Sequence, residues 1–265
     1  GFDHQDILGD SLELIAAEKA GIIKFQTPVC ISEKQKETTA IFQDKAQQEM
    51  APIRFAEDFV QMLKPENKIG GIQIDVETST WGKFQIQSPY AGNYQLNNLR
   101  GVIAWCEQLH ELGKIRFELP KIQAGIAESR KNTQLKGRWE VYQEKPWIVA
   151  DTGHNESGIR SLLAQVKQYQ TDKIFIILGM VADKDIERVL ALFPKDAHYF
   201  FTAANNPRAL AAEKLKEMAS RHGLTGSVSS HVNDAIQLAR KSASEKDFIL
   251  ITGSTYLVAE IVEPF

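Results

Sequence analysis

The sequence predicts an α/β chain: a doubly wound, mostly parallel sheet in its second half, preceded by a smaller α/β portion with antiparallel strands. Two patterns carry this expectation. From Gly137 onward, short apolar runs alternate with helical segments, as in strand–helix–strand units that build a parallel sheet with helices on both faces. Before that point, "KIGGIQIDVET" and "KFQIQSP" alternate apolar and polar residues at period two, as half-buried antiparallel strands do.

In chain order, the first element is a helix over 11–22. Its stripe of Leu12, Ile15, Ala16 and Ile23 carries Lys19 seven residues after Leu12, inside the apolar face. A β-like run from Pro28 to Ile31 and a polar helix from Glu37 to Met50 follow. After the two alternating strands, Leu99, Val102, Ile103, Cys106 and Leu109 mark one face of an amphipathic helix. The polar stretch "AESRKNTQLKG" reads as a linker, dividing the chain into domains of residues 1–135 and 136–265. Beyond it, "WIVA", "KIFIIL", "AHYFF" and "DFILIT" read as buried strands, with a weaker strand near "GSVSS". Helices are expected near 157–168, 185–193, 209–221 and 232–241.

Composition places the chain among ordinary globular proteins, with 43% hydrophobic and 25% charged residues. A net charge of −3, with neither half strongly basic, argues against nucleic-acid binding. Cys30 and Cys106 stand far apart in apolar surroundings, which suits free thiols in a reducing compartment better than a disulfide or a metal site. No signal-peptide pattern or bilayer-length apolar run is present, so a soluble cytoplasmic protein is expected. Gly1 opens directly on a motif-like segment without an initiator Met, and the chain reads as a piece of a longer protein.

In a doubly wound sheet, ligands bind beyond the carboxyl ends of the strands, where loops gather and helix N-termini present free N–H groups. Four polar, glycine-bearing loops fall there: "DTGHNES", "GMVADKD", "TAANNPRA" and "GSTY". Asp151, directly after a wholly apolar strand, can hold a metal, a ribose hydroxyl or an amine, or can cap the next helix, a task Asn155 or Ser157 could also perform. His154 can act as acid, base or ligand, and Arg208 can bind an anion through its planar fork. No G-x-G-x-x-G follows a strand in the dinucleotide-binding context, and no G-x-x-x-x-G-K-[ST] phosphate loop occurs.

In order, "DHQDILGDSLELIAAEKAGIIK", "GRWEV", "DTGHN", "GMVADKD" and "ITGSTYLVAEI" resemble the folylpolyglutamate synthase and dihydrofolate synthase family of Mur-ligase-like, ATP-dependent amide ligases. The resemblance implies the end of a central ATPase domain followed by a complete C-terminal domain, without the phosphate-loop portion. It implies activation of a folate or dihydropteroate carboxylate as an acyl phosphate, attacked by the amino group of L-glutamate, with ATP and Mg2+ as cofactors and a monomeric state. Carried over by position, His4 matches a magnesium ligand, and Lys19 a carbamylated lysine that helps hold the metal. An apolar surrounding would favour the neutral amine that carbon dioxide requires. Asn98 matches a contact to the nucleotide base region, Arg138 a phosphate contact, and Asp151 a ribose contact whose removal, like that of Arg138, would spare the fold. His154 and Ser254 match positions at the glutamate-binding or catalytic cleft. Two departures are plain: Tyr94 stands where the family has His, and Glu156 where it has Pro. A peptidoglycan-type Mur ligase and a non-catalytic binding module are the alternatives, and the chain taken alone is expected to be inactive for want of a phosphate loop.

Overall fold

The computed structural model describes residues 11–68, 71–92, 94–182 and 186–262. The chain divides into two compact units, Gly1–Thr133 and Gln134–Phe265.

The first unit opens with α1 (Leu12–Ala20), whose N-cap Ser11 accepts the Leu14 N–H at 3.2 Å. Strand β1 (Val29–Ile31) pairs in parallel with β2 (Ile53–Phe55), and α2 (Thr39–Gln48) lies between them in sequence. Ala20 and Ile23 pack against Ala46 and Ala51, with Phe42 at the edge, to form a small core. The buried strip of α1 is Ile15, Ala16 and Ala20, with Lys19 exposed beside it. The expected placement of Lys19 inside the apolar face is therefore corrected: α2 covers the alanine side of α1, so burial follows those small residues and leaves Leu14 and Lys19 outward.

Strands β3 (Val60–Lys68), β4 (Gly71–Thr78) and β5 (Gly82–Ser88) form an antiparallel meander with β4 central. Lys68 pairs with Gly71, so the chain reverses within the segment expected to be one strand, "KIGGIQIDVET". Ile72, Ile74 and Val76 alternate into the core as period two requires. They pack with Leu99, Ile103 and Ala104 of α3 (Gln95–Glu111) and with Ile122 and Ile126 of α4 (Leu119–Ala127). The expected linker is helical in its first part, as α5 (Ser129–Thr133), where Thr133 Oγ1 donates back to the Ser129 carbonyl at 2.7 Å.

The second unit is a six-stranded sheet of order β10-β9-β8-β11-β7-β6. Its strands are β6 (Glu140–Glu144), β7 (Trp147–Ala150), β8 (Ile174–Leu178), β9 (His198–Phe201), β10 (Gly226–Val228) and β11 (Phe248–Thr252), all parallel except β6. Helices α6 (Glu156–Val166), α7 (Ile186–Leu190) and α8 (Ala212–Arg221) follow the leftward steps from β7 through β10. Right-handed crossovers place these three on one face. The return from β10 to β11 runs through α9 (Val232–Ser242) on the opposite face. There Val232, Ala235, Ile236 and Ala239 pack on Ile148, Ala150, Ile177, Ile249 and Ile251, joined by Leu257 and Val258 of α10 (Thr255–Ala259). β11 thus enters between β7 and β8 from the other direction, and the strand order switches there. This is where a doubly wound sheet opens a crevice at its carboxyl edge.

Candidate functional site

The carboxyl edge at this switch point is laced together by main-chain contacts. The Gly153 carbonyl after β7 accepts the Gly253 N–H at 3.0 Å and the Thr252 hydroxyl at 3.1 Å, and the Gly179 N–H after β8 donates to the Thr252 carbonyl at 3.2 Å. Gly253 has φ of +106°, and a Cβ there would stand 2.7 Å from the Gly179 carbonyl oxygen, so only glycine allows these two loops to close up. The loops after β8 and β9 meet through Leu210 N–H to Met180 O and Ala182 N–H to Arg208 O, each 2.8 Å.

Asp151 is 3% exposed, and both its oxygens accept main-chain N–H groups: Oδ2 from Trp139 and Oδ1 from Gly153, each at 2.8 Å. The carboxylate therefore pins the turn before β6 to the loop after β7. The expectation that Asp151 could be removed without harm to the fold is corrected here, because its loss leaves the buried Trp139 N–H and the partly buried Gly153 N–H unmatched. Capping of α6 falls to Asn155, whose Oδ1 accepts the Gly158 N–H at 2.8 Å.

Arg138 belongs to the turn that Asp151 holds. Gly137 (φ +75°) and Trp139 (φ +46°) flank it in the left-handed region, where a bulky residue costs on the order of 1–2 kcal/mol. The Gly137 carbonyl accepts the Thr152 N–H at 3.0 Å, its own N–H donates to Glu140 Oε2 at 2.6 Å, and the half-buried Arg138 guanidinium donates to Thr152 Oγ1. Trp139, 1% exposed, packs against Tyr169 and Phe248 at 5.8 and 6.1 Å between ring centroids, and burial raises the Tyr169 phenol above its ordinary range.

The structure thus brings Arg138, Asp151 and Thr152 together at the switch point. His154 is on the same loop, exposed, with Nδ1 3.0 Å from the Thr152 carbonyl oxygen. Ser254, on the neighbouring loop, is buried and caps α10, its Oγ accepting the Tyr256 N–H at 3.1 Å. Arg208 is exposed, and its main-chain N–H donates to Asn206 Oδ1 at 2.9 Å. Asn98, in the first unit, is exposed on α3 and donates to Gln95 Oε1 at 2.8 Å. His4 and much of "GMVADKD" lie outside the described residues. Sequence reasoning passed over Glu140 and Thr152. The only available signal was the spacing in "GRWE", with an acidic side chain three residues after a glycine.

No group of three or more His, Cys, Asp or Glu side chains among the described residues could hold a metal ion. These residues do not by themselves fit a magnesium site. No helix of the described residues is long and apolar enough to cross a membrane.

Residues 137–255 match the family model described as Mur ligase, glutamate ligase domain. Over 263 residues the chain is 27% identical to the dihydrofolate synthase/folylpolyglutamate synthase of Bacillus subtilis (strain 168), covering 98% of this chain and 60% of the relative. It is 28% identical over 267 residues to the folylpolyglutamate synthase of Lacticaseibacillus casei, covering 98% and 59%. Among solved structures, Mycobacterium tuberculosis folylpolyglutamate synthase complexed with ADP and AMPPCP aligns with a TM-score of 0.81 at 23% identity, over 97% of this chain and 60% of that one. E. coli FolC in complex with DHPP and ADP aligns with a TM-score of 0.78 at 24% identity, over 98% and 58%. The chain therefore spans about 60% of the length of the curated relatives it matches.

Proposed function

We propose that this chain is part of an ATP-dependent carbon–nitrogen ligase, a reading that starts from the match of residues 137–255 to the Mur ligase, glutamate ligase domain model. In this reading it adds L-glutamate to a folate or dihydropteroate carboxylate through an acyl phosphate. The observation that carries the reading is the rim at the switch point, where Arg138 is held half-buried beside the glycine-laced ends of β7 and β11. Acyl-phosphate chemistry brings anions together, and a fixed guanidinium offers planar, permanent positive charge to a phosphate. Two relatives named for this activity align over nearly the whole chain, which supports the same reading.

Each residue has a part in the proposal. Arg138 contacts the nucleotide phosphates, and Asp151 shapes the loop that presents Gly153 and His154 to the ligand. His154 and Ser254 border the glutamate-binding side of the crevice. The roles that resemblance assigns to His4, Lys19 and Asn98, the cytoplasmic location and the monomeric state belong to the same proposal.

The test is incorporation of labelled glutamate into dihydropteroate or tetrahydrofolate with ATP and Mg2+, by the protein of the complete reading frame, with Arg138→Ala beside it. Ligation of either acceptor, reduced at least tenfold in the variant, is expected, a loss of about 1.4 kcal/mol in transition-state stabilisation. Ligation only onto a nucleotide-linked sugar, or none in the presence of ATP, would overturn the folate reading.

A further inference from the structure

We propose that Glu140 is a positioning residue for Arg138. The inference rests on the reading of Arg138 as the phosphate-facing cation and adds the residue that aims it. Arg138 stands between two residues with left-handed backbone, Gly137 at φ +75° and Trp139 at φ +46°. A turn of this kind needs its N–H groups tied down, and two carboxylates do so. Asp151 takes the N–H of Trp139 at 2.8 Å, and Glu140 takes the N–H of Gly137 at 2.6 Å.

Glu140 is the first residue of β6 and pairs with Ala150, the residue just before Asp151. At 6% exposure its side chain turns back along its own chain instead of reaching water. The Gly137 carbonyl is occupied in turn by the Thr152 N–H at 3.0 Å, so both polar groups of Gly137 are held. From the turn held in this way, the Arg138 guanidinium donates to the Thr152 hydroxyl at the carboxyl edge. Glu140 acts through this turn and has no assigned contact with a reacting group.

The contact requires an acceptor at the reach of a glutamate side chain. Glu140→Gln keeps that acceptor, Glu140→Asp keeps the charge but is one methylene short, and Glu140→Ala removes the group. The measurement is proton exchange at the Arg138 Nη1–H group, the donor to Thr152 Oγ1, in this 15N-labelled chain, assigned with Arg138→Lys. Exchange is expected to quicken about tenfold in Glu140→Ala and Glu140→Asp, while Glu140→Gln stays within about twofold of the parent. The amide signals of β7, β8 and β11 are expected to hold in all three, which separates positioning from a general loss of fold. Should Glu140→Ala fail to fold, Glu140→Asp decides the matter. Unchanged exchange in a folded Glu140→Asp, or equal quickening in Glu140→Gln, would overturn the proposal. ADP titrated into the millimolar range is expected to move the Arg138 signal in the parent and Glu140→Gln alone. If ADP moves it in none of them while exchange still follows Glu140, the nucleotide reading falls and the positioning role stands.

Discussion

Asp151→Ala is expected to be first of all a stability variant. The substitution removes the acceptor of the Trp139 and Gly153 N–H groups, both made at 2.8 Å by a carboxylate that is 3% exposed. The buried Trp139 donor left unmatched costs about 1–3 kcal/mol and the partly buried Gly153 donor less, so the pair costs roughly 3 kcal/mol, before counting the lost support for the left-handed Trp139. A domain's whole stability is about 5–15 kcal/mol, so a large share of that of the second unit is at stake. For a unit of this size about 1 kcal/mol corresponds to roughly 3–5 °C, and the melting temperature of its transition should fall by roughly 9–15 °C. Differential scanning calorimetry of the chain, with near-ultraviolet circular dichroism to follow the Trp139 environment, reads this directly. A fall of less than about 3 °C would refute the claim that Asp151 is the pin between the two loops.

Other outcomes follow from the same structure. Gly253→Ala should destabilise the second unit by about 2 kcal/mol or more, because its Cβ meets the Gly179 carbonyl at 2.7 Å and its φ of +106° excludes a side chain; urea unfolding that matches the parent would contradict this. Burial pushes the Cys30 thiol from 9.0 up to about 11, against a small lowering by Arg54, so iodoacetamide at pH 8 should leave it unmodified in the folded chain. Because that value is raised on folding, the associated stability is whole below pH 9 and is lost as the pH climbs through about 11, which alkaline unfolding of Cys30→Ala against the parent would show. Hydrogen bonds from Lys214 and Arg221 hold the Glu217 carboxyl below its ordinary 4.5, so the small stability gap between the parent and Glu217→Gln should be present at neutral pH and close as the pH falls below 4.5; a gap that widens in acid would be the wrong sign.

How far the sequence could be read depended on burial. The runs that became β7, β8, β9 and β11 were legible because parallel strands inside a doubly wound sheet are covered on both faces and so stay apolar throughout. β6, "EVYQE", and β3, which carries Pro65 and a register shift between Leu63 and Glu66, are edge strands whose polar residues hide the period. Lys19 was misplaced for a related reason: periodicity identifies a stripe, but which neighbouring rows are buried depends on α2, a tertiary partner the local pattern does not specify. At the site, the loops after the strands were legible because turn and cap chemistry needs glycine and short polar side chains. The engagement of Asp151 with the N–H of Trp139, and of Glu140 with that of Gly137, was not. Those contacts join main chain to side chain, one within a turn and one between residues twelve apart, leaving no periodic trace.

Whether the switch point faces a nucleotide is decided by the map of amide shifts in the labelled chain as ADP is added to millimolar concentration. Shifts are expected to cluster at Arg138, Thr152, Gly153 and Gly253, at the carboxyl edge where β11 enters between β7 and β8. Shifts confined to the opposite edge of the sheet, near Trp147, Ile174 and Phe248, or no shift at all, would contradict that expectation.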